Sequence, residues 1–131
     1  MSTLSQIITP TNVVTATSTT TLTNKTITGL KETSVAVGAS NIDMALGNYF
    51  TRTISGTTTL TVSNVPASGS FGSFIFDITN GGSATVNLWS GVKWAGGVAP
   101  TLTTAGRDSL GFYTVDGGTI WTGLVLGLDI K

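Results

Sequence analysis

The stretch GFYTVDGGTIWTGLVLG, residues 111–127, places two runs of strand-forming residues on either side of Asp116-Gly117-Gly118. Aromatic and β-branched residues favour strands. Asp-Gly is a strong signal for a tight hairpin turn, because glycine adopts positive φ without steric cost. We therefore predict a hairpin across this stretch, and we expect the side chain of Asp116 to cap the turn.

A second glycine pair predicts another hairpin upstream. FIFDITN (residues 74–80) and SATVNLW (residues 83–89) flank Gly81-Gly82, and the two glycines are expected to supply the positive φ values of a two-residue turn. The side chain of Asp77, which precedes these glycines, is expected to cap this turn, as Asp116 is expected to cap the other.

Three earlier segments also have strand patterns. Ile42, Met44 and Leu46 alternate with other residues, which predicts a half-buried strand. YFTRTI (residues 49–54) and TTTLTVS (residues 57–63) are separated by Ser55-Gly56 and predict a further hairpin. About seven short strands at intervals of roughly 8–12 residues indicate an all-β fold, an antiparallel β-sandwich or jelly-roll-like domain.

The beginning of the chain has a different composition. TATSTTTLTNKTITGL, residues 15–30, is crowded with threonine, and no aromatic residue precedes Lys31. Threonine favours extended conformations because its branched Cβ crowds a helix, but this stretch has too few large apolar groups to form a core. We predict an extended N-terminal arm over residues 1–32 and a packed domain over residues 33–131. The arm's candidate partner-binding residues are Val14, Leu22, Ile27 and Leu30.

The residue types argue against an enzyme, a cofactor protein or a metalloprotein. The chain has no histidine and no cysteine, which removes the commonest general base, the Ser-His-Asp triad and most zinc sites. The six carboxylates form no recognisable acid–base motif. Calcium ligation by Asp77 or Asp116 is a weaker interpretation than turn capping, since the spacing does not match an EF-hand loop. We predict no catalytic, cofactor-binding or metal-binding residues.

Charge and hydropathy exclude two further classes of partner. Six basic and six acidic residues give a formal net charge of zero, without the basic patch that phosphate contacts require. No apolar run approaches the roughly 18 residues of a membrane-spanning helix. The first ten residues, MSTLSQIITP, lack the features of a secretory signal. We therefore expect neither nucleic acid nor membrane as a partner, and synthesis in a cytoplasm.

Among the aromatic residues, Trp94 is the one that we expect to contact another molecule. It is predicted to lie in a glycine-rich loop, SGVKWAGG (residues 90–97), and loops often carry binding residues. Two interpretations stay open: a stacking surface for a sugar, or packing against a neighbouring protein.

Two long segments carry a resemblance to a known family. Residues 46–69, LGNYFTRTISGTTTLTVSNVPASG, and residues 76–127, with SGVKWAGG, PTLT and GFYTVDGGTIW as their most specific elements, resemble a domain of tailed-bacteriophage virion structural proteins. TLTNKTITG (residues 21–29) resembles the arm that precedes this domain there, so the similarity covers about residues 16–131. The resemblance implies a structural role without catalysis, either in a tail-fibre-like chain or as a separate virion protein.

Within that family, the layout favours a head decoration protein. The sequence has an arm and a compact domain, but no anchoring domain, coiled-coil heptads or long shaft. We therefore expect a capsid decoration, or cement, protein on the capsid surface of the virion, bound to the major capsid protein through its arm. A homotrimer is expected, with a dimer next. The alternatives are a short tail-fibre or adhesin domain that binds a host-surface glycan, and a hydrolase that acts on surface polysaccharide.

Overall fold

The computed structural model describes Thr17, Thr19 and residues 21–131. The chain divides into two units, Met1–Leu30 and Lys31–Lys131. The described residues of the first unit form no strand, and all of them are exposed. The predicted arm extends two residues further, to residue 32, and its assignment as a separate domain stays a prediction.

The second unit consists mostly of strands, which confirms the prediction of an all-β fold. Within residues 31–131, helical structure is confined to two short 3-10 turns, Gly81–Ser83 and Ala95–Gly97. The strands are β1 Val35–Ala36, β2 Asn41–Asp43, β3 Tyr49–Thr53, β4 Thr58–Thr59, β5 Thr61–Ser63, β6 Gly72–Thr79, β7 Val86–Asn87, β8 Val92–Trp94, β9 Arg107–Thr114 and β10 Trp121–Ile130.

The hairpin predicted over residues 111–127 is confirmed. Strands β9 and β10 pair in antiparallel fashion, with Gly123 opposite Phe112. Gly117 and Gly118 at the turn have φ values of 73° and 86°. The Asp116 carboxylate accepts hydrogen bonds at 3.0 Å from the backbone N–H groups of Ile120 and Thr119. Its pKa is lowered, chiefly by the Ile120 bond, so Asp116 caps the turn as expected.

The prediction of a purely antiparallel arrangement is wrong. The main sheet has the order β1-β3-β6-β9-β10-β8, and the pairs β1–β3, β3–β6 and β8–β10 are parallel. Two smaller sheets, β2–β5 and β4–β7, are also parallel pairs. Successive passes of the chain therefore stack in the manner of solenoid coils, and the β9–β10 hairpin extends the sheet that these passes begin.

Neither of the two other predicted hairpins forms. Strand β3 pairs with β1 and β6 instead of with β4 or β5, and β6 pairs with β3 and β9 instead of with β7. At the turn after β6, Asn80 has the positive φ, 56°, and neither glycine of the pair does. A Cβ atom on Gly82 would overlap the carbonyl oxygen of Leu102. This glycine therefore allows close approach of another loop.

The core lies on one face of the main sheet. Phe74, Phe76 and Ile78 alternate along β6 and are 3 % exposed or less. The rings of Phe74 and Trp121 lie edge-to-face with centroids 5.6 Å apart, which is a favourable aromatic geometry. Ile42 of β2 belongs to the same core. The strand predicted from Ile42 to Leu46 is confirmed only at its start, since β2 ends at Asp43 and Leu46 is exposed.

Candidate functional site

The opposite face of the main sheet is apolar at one end, and we call the side chains there the apolar sheet face. Their exposed fractions reach 66 % at Phe71 and 53 % at Leu126, and they flank a groove of about 420 Å³. Gly111, on β9, also lines the groove. Contiguous exposed apolar groups on a folded domain mark interaction surfaces. The apolar sheet face consists of Phe71, Ile75, Tyr113, Leu124 and Leu126.

A polar pocket of about 390 Å³ lies over another part of the sheet, lined by residues of β1, β3, β6 and β9. Asp77 is 6 % exposed, and its Oδ2 accepts hydrogen bonds from the Tyr49 hydroxyl at 2.7 Å and from Arg107 at 3.1 Å. The bond to Asp77 is the main cause of a raised pKa at Tyr49. Because Tyr49 lines both the pocket and the apolar groove, it marks the boundary between them. The expectation that Asp77 caps a turn is therefore wrong.

A second buried carboxylate has a structural environment. Asp108 is fully buried, and it accepts hydrogen bonds from the backbone N–H and the hydroxyl of Thr103, both at 2.6 Å, and from the Asp129 N–H at 2.9 Å. Burial by itself would raise the pKa of Asp108. The hydrogen bonds outweigh burial and lower the pKa below its ordinary value. This carboxylate therefore ties the Thr103 loop and the end of β10 to β9.

Asp108→Asn is expected to destabilise the protein by about 1.5–3 kcal/mol at neutral pH, since bonds to a charged acceptor are lost. A lowered folded-state pKa gives stability that is present above the unfolded pKa of about 3.9 and is lost as the pH falls through the folded value. The variant should therefore show a shallower loss of stability below about pH 4. Urea unfolding at several pH values measures this. Exposed Glu32→Gln is the control, and an unchanged acid slope in Asp108→Asn would contradict the assignment.

The predicted partner-binding residues of the arm are Val14, Leu22, Ile27 and Leu30. Val14 lies outside the described residues. Leu22, Ile27 and Leu30 are 48 %, 64 % and 68 % exposed in a segment that contains no strand. They belong to the first unit, whereas Trp94 belongs to the second. Their role in partner binding stays a prediction.

The sequence predicted Trp94 in a loop, and this prediction is wrong. Trp94 is the last residue of β8 and lies opposite Gly123 of the parallel strand β10. Its ring packs edge-to-face on Phe112 at a centroid distance of 5.6 Å. A Cβ atom on Gly123 would lie 2.7 Å from the Trp94 ring, so the glycine makes room for the indole. Trp94 is half-buried and helps to close the core at this edge of the sheet.

Among the described residues, no cluster of three or more possible metal-ligating side chains occurs. The same part of the chain contains no helix with the length and apolar character needed to cross a membrane.

No protein-family model, curated protein or solved structure matches this chain. The resemblance to phage virion proteins therefore stays a prediction.

Two features of the second unit were not predicted from the sequence. The apolar sheet face was missed because its residues come from three separate strands and a loop, although the run Leu124-Val125-Leu126 contains more apolar residues than one buried face needs. The polar pocket was missed because Asp77 was assigned to a turn. Its position between Phe76 and Ile78, in the middle of a strand, was the available signal.

Proposed function

We propose that this protein is a bacteriophage virion structural protein that decorates the assembled capsid and binds the major capsid protein on the capsid surface. The observation that carries the proposal is the exposure of Leu22, Ile27 and Leu30 in a segment without strands. Apolar side chains that the chain leaves in solvent are suited to burial against a partner. The resemblance of residues 16–131 to phage virion domains indicates which partner.

The arm would act as the anchor. Extended threonine-rich chain can pair through its backbone with an exposed strand edge of a capsid subunit, while Val14, Leu22, Ile27 and Leu30 enter shallow apolar pockets. A protein that binds the assembled shell, but not the disassembled one, stabilises the shell by linkage. Heads that lack the protein should then release DNA under milder stress.

The compact domain would assemble with copies of itself. The apolar sheet face offers a surface of the composition found at the centre of protein interfaces, and closed symmetric assembly would bury it. A homotrimer is preferred, with a dimer next.

A sandwich or jelly-roll-like layering is part of the proposal, with the β2–β5 and β4–β7 pairs as the second layer. Trp94 is the proposed contact of this domain with neighbouring protein.

The test is the location of the protein on the particle. Gold-labelled antibody fragments against residues 31–131 should decorate the head lattice in electron micrographs of intact phage. Labelling at the tail tip would contradict the decoration function and favour the tail-fibre or adhesin alternative. Particles that carry no label would contradict both functions.

A further inference from the structure

An apolar pocket of about 320 Å³ lies on the core side of the main sheet, lined by residues of β6 to β9, of the β7–β8 connection and of the loop 99–102. Every residue that lines it is apolar. Ile78 and Leu110 are closed to solvent, at 0 % and 1 % exposed, so an occupant would not touch them. The lining residues that are at least partly exposed are Val86, Leu88, Trp89, Val92, Trp94, Ala99, Pro100 and Leu102.

Charged side chains of the neighbouring strands do not reach this pocket. Lys93 lies between Val92 and Trp94 on β8, and because side chains alternate along a strand, it lies on the opposite face of the sheet. The carboxylate of Asp108, on β9, is fully buried and bonded to Thr103. Among the described residues, no charged side chain lines the pocket. Its chemistry therefore suits an uncharged occupant.

The walls of the pocket are held in place by contacts outside it. The Trp94 ring packs edge-to-face on Phe112 at a centroid distance of 5.6 Å, and the Trp89 ring packs on the same residue at 4.7 Å. The loop that carries Leu102 is tied to β9 by the hydrogen bonds to Asp108. These side chains cannot move inward to fill the space without loss of those contacts. The pocket is therefore preformed, as small-molecule sites usually are.

The size and lining of the pocket restrict what it can hold. A buried water needs two to four polar partners, and apolar side chains do not supply them. The volume of about 320 Å³ lies within the usual range for small-molecule sites, about 300–1,000 Å³. It is roughly twice the volume of an apolar cavity that accepts benzene, about 150 Å³.

We propose that this pocket binds a small, uncharged aromatic molecule of about two fused rings, which packs against the indole rings of Trp89 and Trp94. Offset and edge-to-face contacts between aromatic rings add to the free energy of apolar burial. The proposal does not depend on the capsid function, because it concerns a site within residues 31–131 and needs neither the arm nor a partner protein.

The test is a titration of the full-length protein, labelled with ¹⁵N-tryptophan, with coumarin, an uncharged molecule of two fused rings. The chain has three tryptophans, and Trp121 does not line the pocket, so it serves as an internal reference. Coumarin should bind saturably with a Kd of about 1 mM or lower, the strength that burial of so few atoms supports. The largest shifts of the indole N–H signals should fall on Trp89 and Trp94.

Two pairs of variants locate the binding site. Val86→Thr keeps the shape of the side chain but adds a hydroxyl to the pocket wall, and it should weaken binding about threefold or more. Val98→Thr makes the same change in a side chain that is 75 % exposed and outside the pocket, and it should bind as the parent does. If Val86→Thr does not fold, Ala99→Phe at an exposed loop position should weaken binding by occupying the pocket, whereas Val98→Phe should not.

Three results would overturn the proposal. Coumarin fails to bind saturably, the shift of Trp121 exceeds those of both Trp89 and Trp94, or the folded Val86 and Ala99 variants bind as the parent does. The capsid function would stand after any of these results, because its own test is the position of the protein on the particle.

Discussion

Phe76→Ala is expected to lower the free energy of unfolding by about 3–5 kcal/mol, the usual effect of removing a large buried aromatic side chain. Phe76 is fully buried at the centre of β6, and that strand pairs with β3 on one side and β9 on the other. The cavity would open in the core, beside the cross-strand neighbours Phe50 and Leu110. A loss of this size is a large fraction of a typical domain stability of about 5–15 kcal/mol.

The neighbouring residue provides a matched control. Ile75 lies on the same strand with its side chain on the opposite face, and it is 40 % exposed. Ile75→Ala removes apolar atoms from the same stretch of backbone without creating an internal cavity. Its effect should stay near the ±0.5 kcal/mol that is usual for surface substitutions. Urea unfolding of both variants at low protein concentration measures the difference, and equal losses would show that the strand faces are wrongly assigned.

Ile75→Ala also tests whether the domain associates with copies of itself. If the apolar sheet face is a contact between copies, Ile75→Ala should reduce self-association in sedimentation experiments, while its unfolding midpoint at low concentration stays close to that of the parent.

The β9–β10 hairpin could be predicted because its signal is local. Asp116, Gly117 and Gly118 specify the turn through their own backbone preferences and short-range hydrogen bonds, and both glycines have the positive φ that the prediction requires. The alternation of Phe74, Phe76 and Ile78 likewise marks a strand with one buried face. In these places the residues that determine the structure are close together in sequence.

Parallel pairing has no comparable local signal. Phe50 lies opposite Phe76, far along the chain, and a strand with alternating residues looks the same whether its neighbour is parallel or antiparallel. The two-residue turn predicted at Gly81-Gly82 is wrong for a similar reason. The residue that constrains Gly82 is Leu102, which approaches it from a loop distant in sequence. At this position a tertiary contact overrides the local turn preference of the two glycines.

The candidate sites divide in the same way. The apolar residues of the arm were visible as isolated large side chains among threonines, because neighbours in sequence alone identify them. The polar pocket required three strands to bring Tyr49, Asp77 and Arg107 together. Trp94 was correctly noted as an aromatic residue among glycines, but Gly123 of another strand determines where its ring packs.

Simultaneous replacement of Leu22, Ile27 and Leu30 by serine in the full-length chain is expected to abolish binding to phage heads. These side chains are largely exposed in the described structure, so their substitution removes apolar area that only a partner could bury. Each fully buried apolar side chain contributes about 1.5–3 kcal/mol, and about 1.4 kcal/mol corresponds to a tenfold change in affinity. The combined loss amounts to about a thousandfold or more in affinity for the capsid lattice.

The substitution is more informative than deletion of the arm, because it keeps chain length and backbone hydrogen bonding intact. Thr21→Ser, Thr23→Ser and Thr28→Ser together form the matched control, since they change the same segment and leave its large apolar groups in place. Both triple variants should unfold at the same urea concentration as the parent, because none of the six residues belongs to the core. Co-sedimentation with heads that lack the protein separates them: the control should bind and the apolar variant should remain in the supernatant. If the apolar variant decorates heads as the parent does, the arm is not the anchor, and the contact with the capsid must be made by residues 31–131.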